Sequence, residues 1–355
     1  MKQLNNINSF LHTDLPKDFS QHFTSSYRGH LLLATAICIL AVDFNSFPSK
    51  FAKTDTYGWS VMDAGVGSFV LVHGLCSSYA RKTLNGNSFK KCLMSSLPLL
   101  ILGFLRLFFT TAVNYHKVVS EYGVHWNFFF TLAFTKIFCF IIMVLIPIRP
   151  GILSMITMVL HQWLLLKGGL TSFVLSDDRR NLFEENKEGI CSLLGFMSLY
   201  LYGIELGSLL WKTSEYLRLL WQLCGIGLCG WIIMYALHAS VQPISRRMAN
   251  LSYCVWVVSL TTLQIAVHFF ENIFLLFSSK FLKHKFTDCL LWKAINFNAL
   301  FYFLLANIIT GVVNLSIHTF KASNLVSLIV LVLYLTVLSL STVVFFQHSI
   351  CFKFW

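Results

Sequence analysis

The stretch NLVSLIVLVLYLTVLSLSTVVFFQ, residues 324–347, carries no charged side chain. About 20 such residues, coiled as a helix, cross the hydrocarbon core of a bilayer. Nine further apolar runs of similar kind precede it, at 28–44, 61–80, 92–113, 127–147, 150–167, 189–210, 217–239, 249–277 and 294–316. None alternates with the period of two that a membrane β-barrel requires. The sequence therefore predicts an all-α polytopic integral membrane protein, roughly ten transmembrane helices in one bundle over 28–347. A polar tail over 1–27 and a short tail over 348–355 flank it. Composition agrees: 56% of the 355 residues are hydrophobic and 12% charged, against about 25% charged in soluble domains, and mean hydropathy is +0.68. Two runs are less regular. The 249–277 run contains His268, Glu271 and Asn272 and reads as one helix plus an interfacial piece, and the break at 147–151 reads as a tight hairpin.

The N-terminus lacks the apolar core of a cleaved signal peptide, and neither a repeat nor a low-complexity tract is present. A net charge of +12 accompanies no basic soluble module, so it is read as topology and excludes a nucleic-acid partner. Alternating the ten helices places 14 Lys and Arg on the side of both termini and 10 on the other. That bias puts the termini in the cytosol and the 43–53 connector on the lumenal side. The ten cysteines form no CxxC and no metal-type cluster, so they are packing residues and no bound metal is expected.

Polar groups gather in a few places between these runs. The connector DFNSFPSKFAKTDTYGWSVMDAGVG, residues 43–67, brings Asp43, Lys50, Lys53, Asp55 and Asp63 beside lipid-soluble segments. A carboxylate at the end of a spanning helix is expensive and marks a functional candidate, although headgroup-level acids and lysines are its plain alternative. The block NYHKVVSEYGVHWN, 114–127, holds Tyr115, His116, Glu121, Tyr122, His125 and Asn127; interfacial anchoring is the plain account of its His–Trp pair. Arg106 and Lys136 lie inside apolar runs, where they snorkel or face protein and water. The most charged loop, SDDRRNLFEENKEG, ends in Asn186, Lys187 and Glu188, and SRRMAN supplies Arg246, Arg247 and Asn250. Asn307, Thr310 and Asn314 share a helix face, which glues helices or lines a cavity.

In order, DFNSFPSKFAKTDTYGWSVMDAGVGSFV, EYGVHWNFFFTLAF, NKEGICSLLGFMSLYL, SRRMANLSYCVW and NALFYFLLANIITGVVNLS resemble the blocks of the glycosylphosphatidylinositol-anchor inositol acyltransferases, the PIG-W family. The resemblance spans about residues 30–347. It implies an enzyme of the endoplasmic reticulum membrane that moves a fatty acyl group, typically palmitoyl, from acyl-CoA to the inositol 2-hydroxyl of glucosaminyl-phosphatidylinositol. Acyl-CoA is then a co-substrate, and no cofactor is bound. The family's central catalytic pair corresponds to Asp43 and Lys53.

Such a transfer needs a base for the hydroxyl proton and a donor or cation for the developing oxyanion. Asp43 suits the first role and Lys53 the second, with His125 a competing base because its ordinary pKa lies nearer neutrality. No GxSxG elbow is present, so transfer is expected without an acyl-enzyme. The remaining polar groups, Arg106, Glu121, Tyr122, Asn127, Asn186, Glu188, Arg246, Arg247, Asn250, Asn307 and Asn314, are candidates for holding phosphate and sugar hydroxyls. Ser49, Lys50 and Lys187 stand where the family carries arginines, which removes bidentate phosphate binding at those points. Family members also carry further helices before the Asp block. Two rival readings are a non-catalytic scaffold in anchor assembly, indifferent to changes at Asp43 and Lys53, and a secondary transporter, which would favour inverted repeats.

Overall fold

A computed structural model describes residues 19–81, 89–112, 118–213, 215–281 and 289–352. Tyr115, His116 and the topology-counting residues Lys82, Lys117, Lys283, Lys285 and Lys353 lie outside them. Each of the ten apolar runs falls on a helix, and no strand occurs among the described residues. The long helices are α1 (Phe19–Ala41), α2 (Val61–Leu75), α3 (Phe89–Ala112), α5 (Phe128–Leu145), α6 (Pro150–Leu166), α10 (Leu193–Lys212), α11 (Tyr216–Ser240), α12 (Leu251–Phe281), α14 (Ala299–Ser316) and α15 (Asn324–Gln347). Short helices lie between them: α4 (Val119–Tyr122), α7 (Leu170–Leu175), α8 (Leu182–Glu185), α9 (Lys187–Cys191) and α13 (Leu290–Phe297). Among the described residues seven helices are long and apolar enough to cross a membrane, and α2 and α6 are shorter apolar ones.

Burial separates a centre from a rim. Thirteen of the 20 residues of α10 are buried, against three of 24 in α3 and four of 24 in α15. The centre is reached by removing side chains, because lipid gives no hydrophobic drive between helices and close backbone approach must supply the contact. Gly203 and Gly207, four residues apart on α10, do this against α2: a Cβ on Gly203 would collide with the Leu71 carbonyl, and one on Gly207 would crowd that of Leu75. Rim residues such as Leu315, Trp221 and Ile232 are exposed and face lipid.

Two apolar clusters share α1. Phe23 and Tyr27 join the main core with α2, α10, α11 and α12, while Leu32, Ala36 and Leu40 join Tyr302, Tyr334 and Leu338 of α14 and α15. Within the described residues α1 already covers 19–27, part of the expected polar tail: Phe23 packs edge-on to Phe269 at 5.1 Å and the Tyr27 hydroxyl donates to Gln264, so helix is rewarded there. Two further boundaries differ from expectation. The 249–277 run is one continuous helix of 31 residues, α12; its polar stretch survives because His268 bonds both His30 and Glu271. The 294–316 run instead breaks at Asn298, whose side chain donates to the Ile350 carbonyl and accepts from Phe352 N, tying down the chain after α15.

Because the long helices alternate in direction, the segments 42–60, 118–127, 167–192, 241–250 and 317–323 gather on one face. Hydrogen bonds cross between four of them. We call this the Lys53 face.

Candidate active site

The site is built by loops that hold one another. After α1 the chain turns through Asp43, half-buried, whose Oδ2 accepts from Asn314 Nδ2 at 2.8 Å. Asn307 does not reach this point and donates to Phe303 O in its own helix. Ten residues after Asp43, Lys53 Nζ donates to both Glu121 carboxylate oxygens at 2.9 Å. The two expected catalytic groups thus have different partners, and among the described residues no ion pair joins them. At 37% exposure for Lys53 and 20% for Glu121, this pair is open to ligand.

Next to Lys53, Asp63 and Arg246 form a cluster whose pairing the sequence does not announce. Asp63 is fully buried; its carboxylate accepts from Thr54 N and Thr54 Oγ1, and Arg246 Nε donates to it at 2.8 Å. Tyr253 donates to the Asp63 carbonyl and accepts from Gly67 N. Two further bonds, Gly58 N to Ile244 O at 2.8 Å and Ser245 Oγ to Thr56 O, staple segment 54–58 to 244–246. Burial works against the Arg246 charge, yet Glu121, Tyr122 and Asp63 outweigh it and raise its pKa. Burial pushes the Tyr122 phenol above its usual range, against the opposing pull of Arg246. Arg246 therefore faces inward and fixes the residue next to Lys53.

The 118–127 segment is set deep in the bundle. Asn127 caps α5 by accepting from Phe129 N and Phe130 N, and it donates to Gly103 O, nine residues before the end of α3. At 1.5 Å per residue that is about 14 Å along α3 from Ala112, its last described residue. The turn at Gly123 has φ +108°, a left-handed value, and a Cβ there would meet Glu185 O and the Asn186 backbone. Close approach lets Val124 N donate to Glu185 O, while His125 N and Trp126 N donate to Asn186 Oδ1. His125 Nε2 is then 3.2 Å from Glu185 Oε2, with the imidazole 45% exposed.

Several expected ligand-holding groups have their polar atoms engaged within the protein. Glu188, fully buried, accepts from Arg179 at 2.6 Å and from Arg247 at 2.9 Å. Asn250 accepts from Ser245 N and Tyr253 N and donates to Pro243 O, forming the entry to α12. Lys187 is buried and donates to Ser176 and Asp178, so its replacement of a family arginine concerns loop closure. Arg106 remains exposed on α3. What stays open is Asp43, Lys53, Arg106, Glu121 and the His125–Glu185 pair.

The five sequence blocks thus converge on one face. A model of the GWT1 family matches residues 2–345. The chain belongs to the GWT1 family. A curated Arabidopsis thaliana relative, itself uncharacterised, is 41% identical over 93% of this chain and 75% of its own length. Schizosaccharomyces pombe GPI-anchored wall transfer protein 1 is 37% identical over 92% of this chain and 72% of its own. Dictyostelium discoideum phosphatidylinositol-glycan biosynthesis class W protein is 34% identical over 94% and 75%. The GWT1 match covers every block that carries the resemblance read from the sequence.

Asp63 was noted in the connector but given no role at the site, and Thr54, Tyr253, Glu185 and Arg179 were given none either. Asp63 had a misleading signal: it stands three residues after Ser60, the spacing of a helix-capping pair. Ser60 does cap α2 at Asp63 N, but the carboxylate itself turns to Arg246.

Proposed function

We propose that this chain acts in glycosylphosphatidylinositol-anchor biosynthesis as an acyl-CoA-dependent O-acyltransferase of the endoplasmic reticulum membrane. Its acceptor is the inositol 2-hydroxyl of glucosaminyl-phosphatidylinositol, and the Lys53 face is lumenal. The observation that carries this reading is the presentation of Lys53, pinned through Thr54 by the buried Asp63–Arg246 pair and partly exposed with Glu121, on the segment face that also carries His125. The names of the relatives supply the pathway, and the Lys and Arg bias supplies the orientation.

In the reaction the inositol oxygen attacks the thioester carbon and loses its proton to a base. The tetrahedral oxyanion collapses, the C–S bond breaks, and the proton returns to the leaving thiolate. Lys53 has three N–H donors and Glu121 takes two, which leaves one for the oxyanion. Asp43 is the base in our reading: Asn314 holds Oδ2 and leaves Oδ1 to accept the proton. A second reading has its own observation, since His125 beside Glu185 has the arrangement of a base oriented by a carboxylate.

Acyl transfer from labelled palmitoyl-CoA to glucosaminyl-phosphatidylinositol, in membranes bearing the chain and its Asp43→Asn, Lys53→Ala and His125→Gln variants, tests both. Loss in Asp43→Asn with a residual rate in His125→Gln supports the first; the reverse transfers the base to His125. Equal transfer by the intact chain and Lys53→Ala defeats the site altogether.

A further inference from the structure

Away from the Lys53 face, two cavities meet inside the bundle. One, of about 360 Å³, lies beside the 76–81 turn and Lys91 and reaches Lys136. The other, of about 390 Å³, runs between α1, α2, α3, α5 and α14, walled by Phe69, Leu99, Leu132 and Phe303, with Arg28 and Lys136 at its edge. His73, Cys76, Ser95 and Lys136 line both, so a polar cleft opens into an apolar groove at a cationic neck. Lys136 sits eight residues into α5, about 12 Å along it. Its ammonium donates to the Ser95 carbonyl at 3.2 Å, and among the described residues no carboxylate pairs with Arg28, Lys91 or Lys136.

We propose that this is a binding site for an anionic phospholipid from the leaflet opposite the Lys53 face, its phosphate held by Arg28 and Lys136 and one acyl chain lying in the groove. A cation at this depth carries a desolvation cost that one carbonyl does not offset, and it calls for an anion. The apolar groove fixes the rest of the ligand as a chain. Lys136 at the neck and Arg28 on the groove match one phosphate, whereas coenzyme A brings several together with an adenine. An acyl-CoA seated here would also hold its thioester beside Lys136, not at Asp43 and Lys53. The Lys and Arg bias makes this leaflet cytosolic, where anionic phospholipids concentrate and basic pockets between helices take their headgroups.

The full chain, in nanodiscs of phosphatidylcholine with added phosphatidylserine or phosphatidylinositol, is purified and its retained lipid counted by native mass spectrometry. The expected result is a preference of about tenfold for the anionic lipids. Arg28→Gln with Lys136→Gln abolishes it, and Lys136→Arg keeps it. Leu132→Trp leaves both charges and fills the groove, and it too releases the lipid. An unchanged preference in the double Gln variant overturns the proposal, as does displacement of the retained lipid by palmitoyl-CoA alone. Should the double variant fail to fold, retention of anionic lipid by Leu132→Trp overturns it equally. None of these readouts depends on acyl transfer.

Discussion

The Lys53 face and the cleft beneath Lys91 are both rich in cations, and they treat them differently. On the Lys53 face Lys53 has Glu121, Arg246 has Asp63, and Arg179 and Arg247 share Glu188. Lys91 and Lys136 in the cleft, and Arg28 on the groove it opens into, have no such partner among the described residues. A buried charge with a fitted partner holds the fold, because losing that partner strands the other charge; a cation at a cavity without one is open to an incoming anion. Arg246, an expected ligand residue, thereby becomes a positioning residue. Lys136, expected either to snorkel or to face protein and water, lines a cavity.

The comparison can be broken in order of effect. Glu188→Ala strands two guanidinium groups and Asp63→Ala strands one; each is expected to destabilise by about 3–5 kcal/mol, read as a fall in thermal midpoint in detergent. Lys53→Ala should leave that midpoint nearly unchanged, as for an exposed pair, while acyl transfer falls by about 10²–10³. A parallel fall in midpoint and transfer would mean that Lys53 is structural too. Gly203→Ala meets the Leu71 carbonyl and is expected to cost about 1–3 kcal/mol, measured by the same unfolding. Arg149→Ala removes a pair with Glu205 whose arginine is 74% exposed; a change within about 0.5 kcal/mol is expected.

The helices were legible because a long uncharged run admits few other structures in a bilayer. Residues 324–347 were assigned from composition alone, and α15 has those same bounds. The break at Asn298 was not legible, since it depends on Ile350 and Phe352, more than fifty residues onward. The continuity of α12 was hidden likewise, because His30 lies on another helix. At the site, the residue types of blocks 43–67, 114–127 and 245–250 pointed to one chemistry, but not to who pairs with whom. The family resemblance implied Asp43 and Lys53 as a catalytic pair; Asn314 and Glu121 are their partners in the fold. Local spacing carries capping and helical faces, whereas these contacts follow from tertiary alternation of the helices.

The Asp63–Arg246 bond joins residues 183 positions apart in the chain, and this sets a timetable for synthesis. Lys53 leaves the ribosome early, but the guanidinium that fixes its loop follows roughly 10–40 s later at ordinary translation rates. Asn314, the partner of Asp43, comes later still, 271 positions after it. During that interval the connector has its charges and lacks their partners. The site is therefore completed only once α14 has entered the bundle.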